Sequence, residues 1–136
     1  MISNLCPCGR ILTYQECCGL AHANPGFIKT AEQLMRSRYA AFTMANGPYL
    51  IETHHPETRK NADEKEIVDW AKSVKWERLE ISSKSKGLEA DEEGTVEFKA
   101  YFREKGKLRF IHENSIFKKE FLYRGTDGVW KYFGRI

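Results

Sequence analysis

Thr95-Val96-Glu97-Phe98-Lys99-Ala100-Tyr101-Phe102-Arg103, followed by Glu104-Lys105-Gly106-Lys107 and Leu108-Arg109-Phe110-Ile111-His112, is the stretch on which the fold turns. Val96, Phe98, Ala100 and Phe102 recur at a period of two, the mark of a strand with one face buried. Lys105-Gly106-Lys107 reads as a turn, and a second strand returns from it. In that strand Leu108, Phe110, His112 and Asn114 share a face, which is expected to look toward the core. The strand is read as running past a bend into Phe117 to Tyr123. Upstream, Trp76 to Ser83 reads as another strand. Downstream, Asp127-Gly128 is a hairpin signal, and Val129 to Phe133 closes the sheet.

Before Trp76 the period is helical. Thr30 is placed to cap a helix with Gln33 as its capping-box partner. Ala31, Leu34, Met35, Arg38, Phe42 and Ala45 fall on one face of it. Asn46-Gly47-Pro48 ends that helix, and Pro48 suits the first turn of a short second one carrying Tyr49, Leu50 and Ile51. This one stops near His54-His55-Pro56, because the residue before a proline is pushed out of the helical region. Asn61 is read as the cap of a third helix, with Glu64 as its partner, bearing Ile67, Val68, Trp70, Ala71 and Val74. Helices first and antiparallel strands afterwards predict an α+β fold, with the helices packed on one face of a curved sheet.

The four cysteines all lie between positions 6 and 18, as Cys6-Pro7-Cys8-Gly9 and Cys17-Cys18-Gly19. A disulfide fold would spread its cysteines along the chain, and neighbours such as Cys17 and Cys18 bridge poorly. Four thiolates can instead surround one tetrahedral Zn²⁺ with no position left open, which is a structural arrangement; iron is the other thiolate-bound candidate. Gly9 lets the first turn bend with positive φ, and Tyr14 is placed to pack over the site. Residues 1–24 are thus expected to form a metal module that draws its folding energy from the ion. Asn24-Pro25-Gly26 marks a boundary, and residues 25–136 form the main domain.

The chain has 136 residues, 41% hydrophobic and 30% charged, as expected of a soluble globular protein. Its net charge of +3 comes from 22 basic and 19 acidic residues, a balance that does not point to nucleic acid. No apolar run is long enough to span a bilayer, and residues 1–5 do not read as a secretion signal. The expected address is the cytoplasm.

Cys6-Pro7-Cys8-Gly9, Tyr14 and Cys17-Cys18-Gly19 resemble the SEC-C motif. That resemblance implies zinc and a docking surface for a protein partner. Arg10-Ile11-Leu12-Thr13 and Gln15-Glu16 stand where the usual motif carries serine-glycine and lysines. Leu34 to Phe42, Tyr49-Leu50 and Thr53-His54-His55-Pro56 resemble the YchJ family of bacterial proteins. So do His112 to Phe117 and Asp127 to Tyr132. The resemblance implies an N-terminal SEC-C motif joined to a cone-shaped domain like that of nuclear transport factor two, with three helices on a curved sheet.

Arg38 sits on the apolar face of the first helix, and a buried cation needs an acceptor. It is a candidate pocket-floor group for a carboxylate or phosphate; the alternative is an internal tie to Glu113 or to backbone carbonyls. His112, on the face assigned to the core, is a candidate base or ligand donor, or a hydrogen-bonded core histidine. Tyr39 and Trp130 complete the candidate pocket. His54 and His55 are read as shaping a helix end, and His22 as lying outside a site that four thiolates already fill. No phosphate loop, nucleophile motif or carboxylate pair identifies a reaction. The leading expectation is a binding or adaptor protein that takes a small polar or anionic ligand. A small enzyme using the cone pocket, resembling isomerases and dehydratases, and a ribosome- or RNA-associated protein are the alternatives.

Overall fold

The computed structural model describes residues 5–121 and 128–136. Helices α1 (Cys18–Ala23), α2 (Ala31–Thr43), α3 (Gly47–Glu52), α4 (Pro56–Arg59) and α5 (Glu64–Ser73) precede strands β1 (Lys75–Lys86), β2 (Glu93–Glu104), β3 (Lys107–Glu120) and β4 (Val129–Arg135). Among the described residues the strands form one antiparallel sheet in the order β1-β2-β3-β4. This is the α+β architecture expected from the segregation of helices and strands.

The helix boundaries follow local chemistry. The Thr30 side chain accepts from the Gln33 amide while Gln33 reaches back to the Thr30 amide, so the capping box is present. Asn46 caps α3, with Pro48 in its first turn. The α5 cap differs from expectation: it is Asp63, whose side chain accepts from the Glu66 amide at 3.1 Å, and not Asn61. Pro56 falls at the start of α4, so Asn61 lies in the turn beyond that helix.

The β2–β3 hairpin turns at Lys105 and Gly106, both with positive φ (52° and 80°), the conformation of a two-residue turn matched to strand twist. Val96, Phe98, Ala100 and Phe102 all point inward and are buried. Register shifts in β1, between Trp76 and Arg78 and between Ile81 and Ser83, bend the sheet over the helices. The outer edge of β4 is covered by residues 53–55. The Tyr132 amide donates to the Thr53 carbonyl at 2.8 Å, and the His55 amide donates to the Tyr132 carbonyl at 2.8 Å.

Helix α2 lies on the sheet. Leu34, Met35 and Tyr39 share a core with Leu79, Val96 and Phe117. Burial of a side chain such as Leu34 contributes about 1.5–3 kcal/mol to this contact. Ala21 of α1 and Ile28 also belong to that core, so packing runs continuously across residues 24–26. Asp127 of the expected last turn and Leu122-Tyr123 at the end of the expected third strand lie outside the described residues.

Candidate functional site

Two places concentrate chemistry: the cysteine knuckle and a cavity between the helices and the sheet.

The knuckle begins as a small loop closed by a bridge between Leu5 and Thr13 and by the Cys6 amide donating to the Leu12 carbonyl at 2.8 Å. Gly9 has a φ of 98°, which only glycine adopts readily, and this turns the chain between the two cysteine pairs. Thr13 caps a 3₁₀ turn over Tyr14–Glu16, which feeds Cys17 and Cys18 into α1. The four Sγ atoms all lie within 4.8 Å of one another, with Cys8–Cys17 at 3.6 Å and Cys17–Cys18 at 3.9 Å. A tetrahedral ion with sulfur bonds of about 2.3 Å needs edges of about 3.8 Å, so the donor set fits.

All four cysteines are free thiols, three of them buried. Hydrogen bonds from Cys18 and Cys8 hold the Cys6 thiol far below its ordinary range. The bonds of Cys18 to Cys6 and Cys8, with burial, push its own thiol far above it. The four sulfurs lie close enough together that one metal ion could take the place of their protons.

The knuckle is bolted to α2. Cys6, Cys8 and Cys18 pack against Ala40, with Tyr14 alongside. Gly19 lets Tyr14 lie close, since a β-carbon there would sit 2.7 Å from the Tyr14 carbonyl oxygen. His22 is not a ligand. Its Nε2 donates to the Ser37 carbonyl at 2.8 Å and its Nδ1 accepts from the Tyr14 hydroxyl at 2.7 Å, so the imidazole joins knuckle and helix.

The cavity, about 360 Å³, opens on the other side of α2. Arg38 and Tyr39 line it, together with Glu113 and Ser115 of β3 and Tyr132 of β4. Arg38 is 8% exposed. Its Nη1 donates to the Leu50 carbonyl at 2.9 Å and to the Thr53 hydroxyl at 2.7 Å. The guanidinium lies over the Tyr132 ring at 4.6 Å. Glu113 is not ion-paired to it; that carboxylate accepts from Ser115 at 3.3 Å and faces Arg135 at 3.7 Å. Burial pulls the Arg38 pKa down to about 10, opposed by Tyr132, Tyr49 and Glu113, and the group stays charged at neutral pH. Burial likewise pushes the Tyr39 and Tyr132 hydroxyls up, so both are neutral.

Two expected pocket residues lie elsewhere. His112 is on the outer face of the sheet, largely exposed, with Nε2 at 2.7 Å from the Glu97 carboxylate. The physical reason is register: His112 stands opposite Lys99, and Phe110 opposite Tyr101, both outward-facing. The inward set of β3 is instead Ile111, Glu113, Ser115 and Phe117. Trp130 faces inward but lies past the cavity, 1% exposed, its indole donating to the Lys29 carbonyl at 3.0 Å. Its position in the cavity is taken by Tyr132, two residues on.

Among the lining residues that the sequence did not place in the pocket are His54, Asp63 and Glu66. His55 does shape a helix end, accepting from the Glu57 amide. His54 instead packs edge-on against Tyr132 and contacts Thr58 at 3.0 Å. Burial, with Arg38, Arg59 and His55 nearby, lowers its pKa to about 4, so the cavity meets a neutral imidazole. The bridge between His54 and Tyr132 was the missing signal, and it is a contact between distant segments.

A four-cysteine knuckle that could hold a metal ion, joined to a helix-on-curved-sheet domain, defines the class: a SEC-C motif carried by a domain like nuclear transport factor two. Residues 3–20 match the SEC-C motif, and residues 30–134 match the family described as YchJ, middle NTF2-like domain. The chain belongs to that family. It is 45% identical over 129 residues to a UPF0225 protein of Geobacter sulfurreducens, covering 95% of this chain and 76% of the relative. With a UPF0225 protein of Vibrio parahaemolyticus it shares 40% identity over 132 residues, 96% of this chain and 74% of the other. The crystal structure of a SEC-C motif-containing protein from Psychrobacter arcticus superposes with a TM-score of 0.82 at 32% identity, covering 98% of this chain and 83% of that one. The solution structure of a SEC-C motif-containing protein from Rhodopseudomonas palustris gives 0.81 at 34% identity, with 96% of each chain covered.

Proposed function

We propose that this is a ligand-binding protein whose cavity holds a small polar molecule against Arg38, and whose knuckle carries a structural Zn²⁺. The observation that carries the reading is the state of Arg38. It is a buried cation with only Nη1 hydrogen-bonded among the described residues, and it lines a cavity whose walls include Phe42, Trp70, Trp76, Phe98 and Tyr132. Small-molecule sites have this form: apolar walls with a few placed polar groups. Zinc suits the knuckle because four sulfur donors close the coordination shell and leave no position for a substrate. Reduced thiols at this density suit a reducing compartment, and the cytoplasm is the proposed address.

Ile11, Leu20 and Phe27 are exposed near the knuckle, at 87%, 47% and 55%. They favour a second role, docking of a protein partner beside the metal, over RNA, which would need a basic surface there.

The ligand reading is tested by filling the cavity. Ile111→Trp, on the half-exposed part of its wall, should keep the fold and remove any small molecule that co-purifies with the wild type in native mass spectrometry. Retention of that molecule by the filled variant would place its site elsewhere. The same spectra read the metal: one zinc per chain is expected, and less than half an equivalent of zinc plus iron with four intact thiols would overturn the knuckle assignment.

A further inference from the structure

We infer that the cavity selects a zwitterion: a carboxylate at the Arg38 end, a flat apolar body between the aromatic walls, and an ammonium group at an acidic rim. This deepens the ligand reading above and rests on it.

The inner end is fixed by Arg38. With Nη1 given to Leu50 and Thr53, Nε and Nη2 have no partner among the described residues. Those two nitrogens are a pair through which a guanidinium grips a carboxylate side-on, a bidentate contact that Lys cannot reproduce. His54 is neutral at physiological pH, so Arg38 is the sole cation among the lining residues.

The outer end has the opposite sign. Asp63 and Glu66 line the cavity from the start of α5, and both are exposed. With Glu113, which faces Arg135, three carboxylates and one guanidinium line the same cavity. A plain carboxylate would be repelled at the rim, and a plain amine would leave Arg38 without an acceptor. A molecule with both charges satisfies both ends. Between them stand Phe42, Trp70, Trp76 and Phe98, which suit a flat ring and also favour a nearby cation. At about 360 Å³ the space lies toward the small end of ligand sites.

Three matched compounds test this on the zinc-loaded full chain: 4-(2-aminoethyl)benzoate, 4-ethylbenzoate and 2-phenylethylamine. Binding is read from the indole resonances of Trp70 and Trp76. The zwitterion should bind at least about tenfold more tightly than either single-charge compound, since each loses one end contact. The double variant Asp63→Asn/Glu66→Gln keeps a capping side chain on α5 while removing both rim charges. It should weaken the zwitterion about fivefold and leave 4-ethylbenzoate no weaker. Equal binding of 4-ethylbenzoate or 2-phenylethylamine would keep the cavity as a ligand site and overturn the zwitterion. No perturbation of either indole by any of the three at tens of millimolar would overturn both.

Discussion

Arg36 donates from Nη1 to the backbone carbonyl of Cys8 at 2.7 Å while its Nε holds Glu32 at 2.9 Å, so one side chain of α2 fixes the first turn of the metal knuckle. Arg36→Gln removes the charge and the second arm. Hydrogen bonds from charged donors are worth about 1.5–3 kcal/mol, so the knuckle should loosen by roughly that amount. Transfer of zinc to a chromogenic chelator should be markedly faster than in wild type, with the Trp70 and Trp76 environment unchanged. An unaltered transfer rate would show that Cys8 is held by the metal alone.

Cys8→Ser should release the metal. Since Cys6, Cys8 and Cys18 pack on Ala40, and Ala21 sits in the main core, the loss should extend beyond residues 1–24. The expected result is a cooperative melt at a lower Tm, by several degrees, with near-ultraviolet circular dichroism of the sheet-side aromatics kept. An unchanged Tm would mean that the knuckle contributes nothing to the main domain.

His54 makes stability depend on pH. Its pKa falls from 6.5 to about 4 on folding, through burial and then through Arg38, Arg59 and His55. Between those values the unfolded chain binds more protons than the folded one, so stability rises with pH. The contribution is fully present above about 6.5 and is lost as pH falls toward about 4. In His54→Gln the slope of Tm against pH across that window should flatten relative to wild type, measured by calorimetry.

Arg38→Met strands the Leu50 carbonyl and takes a donor from the Thr53 hydroxyl, which keeps its bond to the Tyr49 carbonyl, yet also removes a desolvated charge. The net cost should be about 1–3 kcal/mol, below the 3–5 expected had it left a buried carboxylate without its partner. Urea titration measures it. A loss of more than about 4 kcal/mol would mean that Glu113 depends on Arg38 after all.

His112→Ala should leave both Tm and ligand binding at wild-type values, since on the outer face its one hydrogen-bond partner among the described residues is Glu97. Any change in the Trp70 or Trp76 resonances would return it to the cavity.

Much of this was legible in the sequence because it was decided locally. The Thr30–Gln33 box, the Pro48 start of α3 and the alternation from Val96 to Phe102 each rest on residues within one or two turns of each other. The grouping of the four cysteines was legible for the same reason. The face of β3 was misread because Leu108 and Phe110 are apolar yet exposed at 49% and 53%. Both lie on the outer face of the sheet, where Phe110 packs against Tyr101, so apolar alternation there does not report the core. The two-residue turn at Lys105-Gly106 held the answer: counting back from it sets His112 against Lys99. His54 had no such local signal, since its place depends on segment 53–55 pairing with β4, some eighty residues later.

The strand order has a consequence for the birth of the chain. Each strand pairs with its neighbour in sequence, so the sheet can zip from local hairpins without closing long loops. Helix α2 cannot share in this. Leu34, Met35 and Tyr39 find their partners Val96, Phe98 and Phe117 only after some sixty to eighty more residues have been made, a wait of several seconds at about 5–20 residues per second. Through that interval the newborn helix shows its greasiest side to the cell. The four cysteines all lie upstream of that helix and are made before it. The interval before the sheet arrives is therefore the time at which a nascent chain is most exposed to sticking and most in need of a chaperone.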